Sequence, residues 1–266
     1  MTSPHEHNRT AWDRRVRATA RFTRPAADEE FANPLATVDG AGWLGPSIVG
    51  ARLLCLASGG GRQGALYAAA GARVTVVDIS PEMLALDRQV AAERGLEIRT
   101  VEASMDDLAA LPSASFDIVI QPVSTCYVPD VVAVYREVAR VTVAAGLYVS
   151  QHKQPASLQA SVAPSAHGYE LVEPHDRRGP LPPVEGSPHR EAGTLEFLHR
   201  WEELLGGMCR AGFVIEDLLE PNHADQTAPI GSFAHRSRFV PPYVRVKARR
   251  VGTPGADGSR AKVWTP

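Results

Sequence analysis

The chain has 266 residues, 28 Lys plus Arg against 30 Asp plus Glu, a formal net charge of −2, and 44% hydrophobic and 22% charged residues. That length suffices for one large domain or a domain with a cap, and the charge leaves no basic surplus for nucleic acid or an anionic membrane, so a small or neutral partner is expected. The three cysteines, Cys55, Cys126 and Cys209, lack Cys-x-x-Cys spacing, which argues against a disulfide framework or a zinc site and fits a reducing cytoplasm.

In chain order, MTSPHEHNRTAWDRRVRATARF is polar, lacks the apolar core of a secretory signal, and predicts a short helix over 10–22 with Arg14, Arg15, Arg17 and Arg21 on a solvated face. NPLATVDGAGWLGPSIVG reads as loop. From Ala51 strands alternate with helices. The strands are expected at Leu53–Ala57, Arg73–Asp78, Glu97–Glu102, Asp117–Gln121 and Gly146–Gln151, and the helices at Arg62–Ala70, Pro81–Arg94 and Pro129–Val143. Such alternation predicts βαβ units and a parallel sheet covered on both faces; LLCLA, VTVVD and DIVIQP are almost continuously apolar, as doubly buried strands should be.

Lys153 to Gly193 breaks the rhythm with seven prolines, and so long an irregular segment inside a domain points to function or to disorder. Thr194–Ala211 predicts a helix interrupted at Gly206-Gly207, followed by strands FVIEDLLE from Phe213 and PYVRVKARR from Pro242. The expected organisation is an N-terminal helix and cap segment over 1–50, a nucleotide-binding core over 51–152, a proline-rich substrate-cap insertion over 153–193, the rest of the core over 194–251 and a flexible tail over 252–266. There is no internal repeat, and no run reaches the roughly 18–20 apolar residues of a membrane span.

The informative unit is LLCLASGGGRQGALYAAAGARVTVVDIS, from Leu53 to Ser80. Gly59-x-Gly61-x-x-Gly64 satisfies the dinucleotide fingerprint, and Asp78 stands where a ribose-binding acid belongs. Glycines let the backbone approach a ligand, and the following helix offers free N–H groups. On these residues alone an NAD-dependent oxidoreductase remains open.

The longer stretch from LLCLASGGG through VDISPEML, EASMDDLAALPSASFDIVI and YREVARVTVAAGLYVS resembles the class I S-adenosylmethionine-dependent methyltransferases. The resemblance covers about residues 50–150, with weaker support to Arg250. It implies a doubly wound, Rossmann-like α/β fold: a seven-stranded sheet, mostly parallel with an antiparallel C-terminal hairpin, helices on both faces. It also implies S-adenosylmethionine as cofactor, S-adenosylhomocysteine as product, and a donor site built from Ala57, Ser58, Gly59, Gly61, Asp78, Ile79, Met83, Ser104, Met105, Asp106, Gln121 and Pro122. Asp78 would take the ribose, and Ser80-Pro81 would start the next helix. Valine at Gly59 or Gly61 is expected to block the donor without unfolding the chain.

Three positions depart from the family pattern. Cys55 stands where an acid is usual, Ala57 where glycine is usual, and Ser104 where aspartate is frequent, with Asp106 or Asp107 available to compensate. Ala57 suits the glycine position only with a negative φ. These departures keep a non-catalytic S-adenosylmethionine or S-adenosylhomocysteine binder as an alternative.

The implied chemistry is an in-line displacement at an electrophilic methyl group, in which the enzyme mainly aligns donor and acceptor. No metal is required, and the adjacent Asp106 and Asp107 read as loop solvation. A hydroxyl acceptor needs a base. His152 is the favoured base, from its place after the fifth strand and its ordinary pKa near 6.5; Tyr127 is the second catalytic candidate. Trp12, Cys126, Tyr169, His175 and His199 are the candidate substrate-lining residues. QPVS after the fourth strand is unlike the Asn-Pro-Pro-aromatic tetrad of base-amine methyltransferases. The expected enzyme is thus a cytoplasmic small-molecule methyltransferase, O- or N-directed before C- or S-directed, with no nucleic-acid or membrane partner.

Overall fold

A computed structural model describes residues 2–184, 187 and 189–251; the tail expected over 252–266 lies outside them. Seven strands form one sheet: β1 (Arg52–Leu56), β2 (Arg73–Asp78), β3 (Ile98–Glu102), β4 (Phe116–Gln121), β5 (Thr142–Lys153), β6 (Phe213–Leu219) and β7 (Tyr243–Arg250). Their order is β3-β2-β1-β4-β5-β7-β6. The first five are parallel, and β7 runs antiparallel to both β5 and β6. The described helices are α1 (Pro4–Arg17), α2 (Pro34–Val38), α3 (Gln63–Ala69), α4 (Pro81–Arg94), α5 (Val131–Val141), α6 (Pro155–Gln159), α7 (Trp201–Arg210) and α8 (Phe233–Arg236).

The central strands are apolar on both faces because helices cover both. On one face Leu54, Leu56, Val119 and Tyr148 pack under α5 and α7; on the other Leu53, Cys55, Val74 and Val76 pack with Tyr67 of α3 and Leu84 of α4. The hairpin strand β7 keeps a period of two instead: Val244, Val246 and Ala248 are buried, while Tyr243, Arg245, Lys247 and Arg249 take the other face.

Helix α4 occupies its expected bounds, for local reasons. Ser80 Oγ accepts the Met83 N–H at 3.1 Å, Pro81 takes the first helical position, and Gly95 closes the helix at φ +63°. Other boundaries move. Helix α1 starts six residues earlier than expected, because Ser3 caps it ahead of Pro4, and it ends before Thr19 turns to φ +49°. The loop expected over 33–50 contains α2, capped by Asn33. Thr194–Arg200 is not helical: its backbone is held across the fold by Leu181 N–H to Glu196 and Phe197 N–H to Cys126. Gly206 and Gly207 lie inside α7 and do not interrupt it. Gly207 faces Tyr135 and Val132, where a Cβ would stand 3.3 Å from both side chains, so the small residue lets α7 close on α5.

The glycine loop also differs from expectation. A Cβ on Gly61 would meet the Leu86 carbonyl oxygen and Val90 at 2.9 Å, at a φ of +74°. Gly61 therefore seats the loop against α4. Gly61→Val should cost roughly 2–5 kcal/mol of folding stability, from left-handed strain plus overpacking. Urea unfolding monitored by circular dichroism checks this; an unchanged midpoint refutes it.

Candidate functional site

A cavity of about 520 Å³ runs along the carboxyl edge of the sheet. In sheet order it is lined by Ala103, Ser104 and Met105 after β3, Asp78 and Ile79 at β2, Ala57 to Gly60 after β1, Ile120 to Ser124 at β4, Val149 to Gln151 on β5, and Tyr243 and Arg245 on β7. This is where open α/β sheets bind ligands. Its size lies within the roughly 300–1,000 Å³ of small-molecule sites. Trp12 and Asn8 of α1, the 21–24 segment and the 38–43 segment complete the wall.

Two buried carboxylates hold the glycine loop. Asp78 Oδ2 accepts the Gly59 N–H at 2.9 Å, while its Oδ1 accepts the Ser80 N–H at 2.9 Å. Asp87, fully buried on α4, accepts the Gly60 N–H at 3.0 Å. Burial pushes the Asp78 carboxyl up to about 6 and that of Asp87 to about 7, against the pull of the loop amides. Burial likewise pushes up the thiol of Cys55, which occupies the family's usual acid position on β1, and the nearby Asp87 adds to the shift. Asp87 thus supplies from α4 the carboxylate that β1 lacks. On sequence alone it looks like any acid on a helix.

Ala57 has φ +49°, which corrects the expectation of a negative φ at that position. Its N–H is held by the Val77 carbonyl at 2.7 Å. The left-handed conformation costs a non-glycine residue roughly 1–2 kcal/mol. Gly59 has no room for a side chain, since a Cβ there would stand 2.8 Å from Met83 Cβ and 3.1 Å from Asp78 Oδ2.

Of the twelve residues expected in the donor site, ten line the cavity: Ala57, Ser58, Gly59, Asp78, Ile79, Met83, Ser104, Met105, Gln121 and Pro122. Gly61 does not, for the packing reason above. Asp106 does not either: it binds His5 Nε2 at 2.8 Å and the Ser104 hydroxyl, which ties α1 to the end of β3. Helix α1 is fastened again by Asp13 Oδ1, which accepts from Ser80 Oγ at 2.6 Å, and by Asn8, which bonds the backbone of Tyr127 and Leu195. Gln121 accepts from Tyr148 Oη and donates to Ser124 Oγ, so its carboxamide is fixed beside the cavity.

The expected catalytic and substrate residues fare differently. His152 is fully buried and does not line the cavity. Strand periodicity places it on the same side as Ser150, whose Oγ meets His152 Nε2 at 2.8 Å, and Thr125 Oγ1 meets Nδ1 at 2.9 Å. Both nitrogens are engaged, and burial lowers its pKa to about 3. His152 therefore makes no direct contact with the cavity, which corrects its assignment as a base touching the substrate; it adjoins the cavity through its hydrogen-bond partner Ser150. Tyr127 and Trp12 do line the cavity, with ring centroids 5.7 Å apart in an edge-to-face pair. Tyr127 Oη donates to Glu191 Oε2 at 2.6 Å, and burial followed by the Glu191 charge raises its pKa well above the ordinary value, so it remains a neutral phenol.

Four expected substrate residues lie elsewhere. Cys126 is sealed among Tyr127, Leu158, Leu181 and Leu198, and burial raises its thiol pKa. His199 is buried with Nε2 on the Thr125 and Val128 carbonyls. His175 lies in a separate small recess beside it. Tyr169 packs on His235 and Phe239. Among the described residues of the proline-rich segment it is Glu191 that lines the cavity. Glu191 belongs to a buried charge cluster: Lys153 Nζ lies 2.7 Å from Glu191 and 2.9 Å from Glu196, and Arg190 Nε lies 3.1 Å from Glu196. Burial opposes ionisation of Glu191, but the charge and hydrogen bond of Lys153 together with the Tyr127 hydrogen bond hold the carboxyl below its ordinary range.

Comparisons with known proteins agree with this geometry. The family described as Methyltransferase domain matches residues 54–150. The uncharacterized methyltransferase YbaJ of Bacillus subtilis (strain 168) is 34% identical over 233 residues, which span 80% of this chain and 89% of that protein. A ubiquinone biosynthesis O-methyltransferase of Xanthomonas oryzae pv. oryzae (strain PXO99A) is 33% identical over 117 residues, 43% of this chain and 49% of that protein. The crystal structure of an S-adenosylmethionine-dependent methyltransferase from Mesorhizobium loti superposes with a TM-score of 0.62 at 25% identity, covering 78% of this chain and 94% of that one.

The surroundings of His152 predict a pH signature of stability. Its folded pKa lies near 3 and its ordinary value near 6.5, so the stability of keeping it neutral is complete above 6.5 and is lost as pH falls toward 3. Between pH 6.5 and 4, wild-type unfolding free energy should fall faster than that of His152→Gln, by up to about 1.4 kcal/mol per pH unit. Urea titrations at several pH values check this, and parallel curves refute it.

Proposed function

We propose, for a chain that belongs to the class I S-adenosylmethionine-dependent methyltransferases, that the methyl acceptor is a small molecule bound at the β5–β7 end of the cavity. The relatives remove the NAD-linked and non-catalytic alternatives: the chain is a methyltransferase using S-adenosylmethionine. The observation that carries the proposal is one continuous cavity with a donor end over β3, β2 and β1 and a second end over β5 and β7.

The residues at the first end fit the donor. Asp78 has the carboxylate and the position for two ribose hydroxyls. Ser104 and Met105 lie where the adenine would rest. The Ala57–Gly60 turn has no side chain that would obstruct the methionine portion, and the Gln121-Pro122 backbone offers a carbonyl for its ammonium. When bound, the donor supplies an electrophilic methyl group on a sulfonium. The protein's own work is to position the acceptor, exclude water and leave the methyl group a straight path.

At the second end, Glu191 is an ionised carboxylate beside Tyr127 that serves to accept a hydrogen bond from the acceptor's hydroxyl or amine. Trp12, Phe22, Tyr127, Phe233 and Tyr243 line the cavity in a chain with 7 Phe, 6 Tyr and 4 Trp. This concentration favours an apolar or aromatic acceptor body. The near-neutral charge speaks against a nucleic-acid substrate. An O- or N-acceptor suits Glu191 best, and a ubiquinone biosynthesis O-methyltransferase resembles 43% of the chain. The reading places the protein in the cytoplasm, in keeping with three free cysteines; no described helix is long and apolar enough to cross a membrane.

The direct test is methyl transfer from S-adenosylmethionine to a panel of hydroxyl, amine, thiol and carbon acids, read by mass spectrometry. Transfer to a small hydroxyl or amine, with matching S-adenosylhomocysteine, is expected; transfer to nucleic acid or protein alone overturns the reading. Asp78→Ala should weaken S-adenosylhomocysteine binding by roughly 1.5–3 kcal/mol in calorimetry at pH 7.5. Because the Asp78 carboxyl titrates near 6, wild-type affinity should fall by up to about tenfold per pH unit below that point, as protonation removes the ribose acceptor. Asp78→Asn should lack that dependence, and an equal slope in the variant would take the ribose away from Asp78.

A further inference from the structure

Three basic residues of β7 share one face, and their surroundings differ. Arg249 Nε pairs with Glu216, and Lys247 Nζ lies 3.6 Å from the same carboxylate. Arg245, two residues nearer the cavity, meets a neutral group: its Nε donates to Gln151 Oε1 at 2.7 Å, across the β5–β7 pairing that sets Gln151 opposite Arg245. Both residues line the cavity. Among the described residues no carboxylate pairs with Arg245, and no described group accepts from its terminal nitrogens.

An arginine buttressed through Nε has its remaining guanidinium edge free to receive a planar oxyanion through two parallel N–H···O bonds. Beside it stands an aromatic corner. His223 meets Phe233 and Tyr243 edge-on, at 5.4 and 5.5 Å between centroids, and all three rings line the cavity. His223 is neutral there: burial lowers its pKa, and the charges of Arg245 and Arg21 lower it further. The nearby acids have other partners, Glu191 with Lys153 and Asp39 with the N–H groups of Trp43 and Leu44. This end of the cavity therefore combines flat apolar walls with an uncompensated positive edge.

We infer that the methyl acceptor is an unsaturated or aromatic carboxylic acid, its carboxylate held by Arg245 with the Gln151 carboxamide alongside and its body laid in the His223–Phe233–Tyr243 corner. This rests on the reading of the β5–β7 end as the acceptor end, and it makes Arg245 a specificity-determining residue. Gln151 positions the guanidinium.

The test uses two probes of the same shape, 2-naphthoate and 2-naphthalenemethanol, titrated into the full-length protein saturated with S-adenosylhomocysteine and followed by naphthalene fluorescence. Wild type should bind the carboxylate at least about tenfold tighter than the alcohol. Arg245→Gln should abolish that preference, and Arg245→Lys should keep part of it; in both, calorimetric affinity for S-adenosylhomocysteine should stay within about twofold of wild type. Equal wild-type affinity for the two probes, binding of neither, or a preference that survives Arg245→Gln overturns the inference. Loss of S-adenosylhomocysteine affinity in both variants also overturns it, because the guanidinium would then serve the donor. Failure of wild type to bind S-adenosylhomocysteine would instead strike the donor-site reading, in a measurement made before either probe is added.

Discussion

The site depends on a turn of backbone held from below by two carboxylates. Asp78 at the end of β2 and Asp87 on α4 accept the N–H groups of Gly59 and Gly60, the first at the cavity wall and the second fully buried. An amide N–H buried without a partner would cost on the order of 1–3 kcal/mol, so each carboxylate fixes the loop as well as charging it. The glycines allow the close approach and the carboxylates set where it stops. The same Asp78 also accepts the Ser80 N–H, so the turn is tied to the α4 cap, whose hydroxyl reaches Asp13 of α1.

The sheet then sorts the chemistry by strand. Strands β2 and β3 end in the polar contacts suited to a nucleoside, and β4 ends in a carboxamide locked between Tyr148 and Ser124. On the other side, β7 runs antiparallel, so it presents its first residues, Tyr243 and Arg245, at the edge where the parallel strands present their last. The hairpin therefore brings side chains of a late segment to a crevice that an early segment begins. Two buried polar systems, the Ser150–His152–Thr125 chain and the Lys153 cluster, brace β5 behind and beside that junction.

What was legible in the sequence was local. Continuous apolar runs placed β1, β2 and β4, the Ser80-Pro81 cap placed α4, and Asp78 followed from its spacing after Gly59. What was not legible depends on packing between distant segments. Asp87 is buried only because α4 crosses under the loop, and nothing in a helix sequence marks that crossing. Arg245 and Glu191 are ordinary charged residues until the hairpin and the proline-rich segment close on β5. His152 was expected just after the fifth strand, but β5 runs on to Lys153 and takes it into the packed strand, its ring behind Ser150, while Ser150 and Gln151 line the cavity. Gly206-Gly207 looked like a break, and Tyr135 shows why it is a contact.

Lys153, Arg190, Glu191 and Glu196 set two cations against two carboxyls in a space where none is well hydrated, and burial there raises the Glu196 pKa while Lys153 helps to lower that of Glu191. Removing one member of such a set strands its partner and costs on the order of 3–5 kcal/mol, whereas removing a matched pair costs far less. A substitution at any one of the four positions therefore bears on the ionisation of the others. Exchange of Glu191 for a neutral group would leave Lys153 to Glu196 alone, a carboxyl that Arg190 also engages. The wall that Glu191 gives the cavity is in that sense tuned by three residues that do not line it.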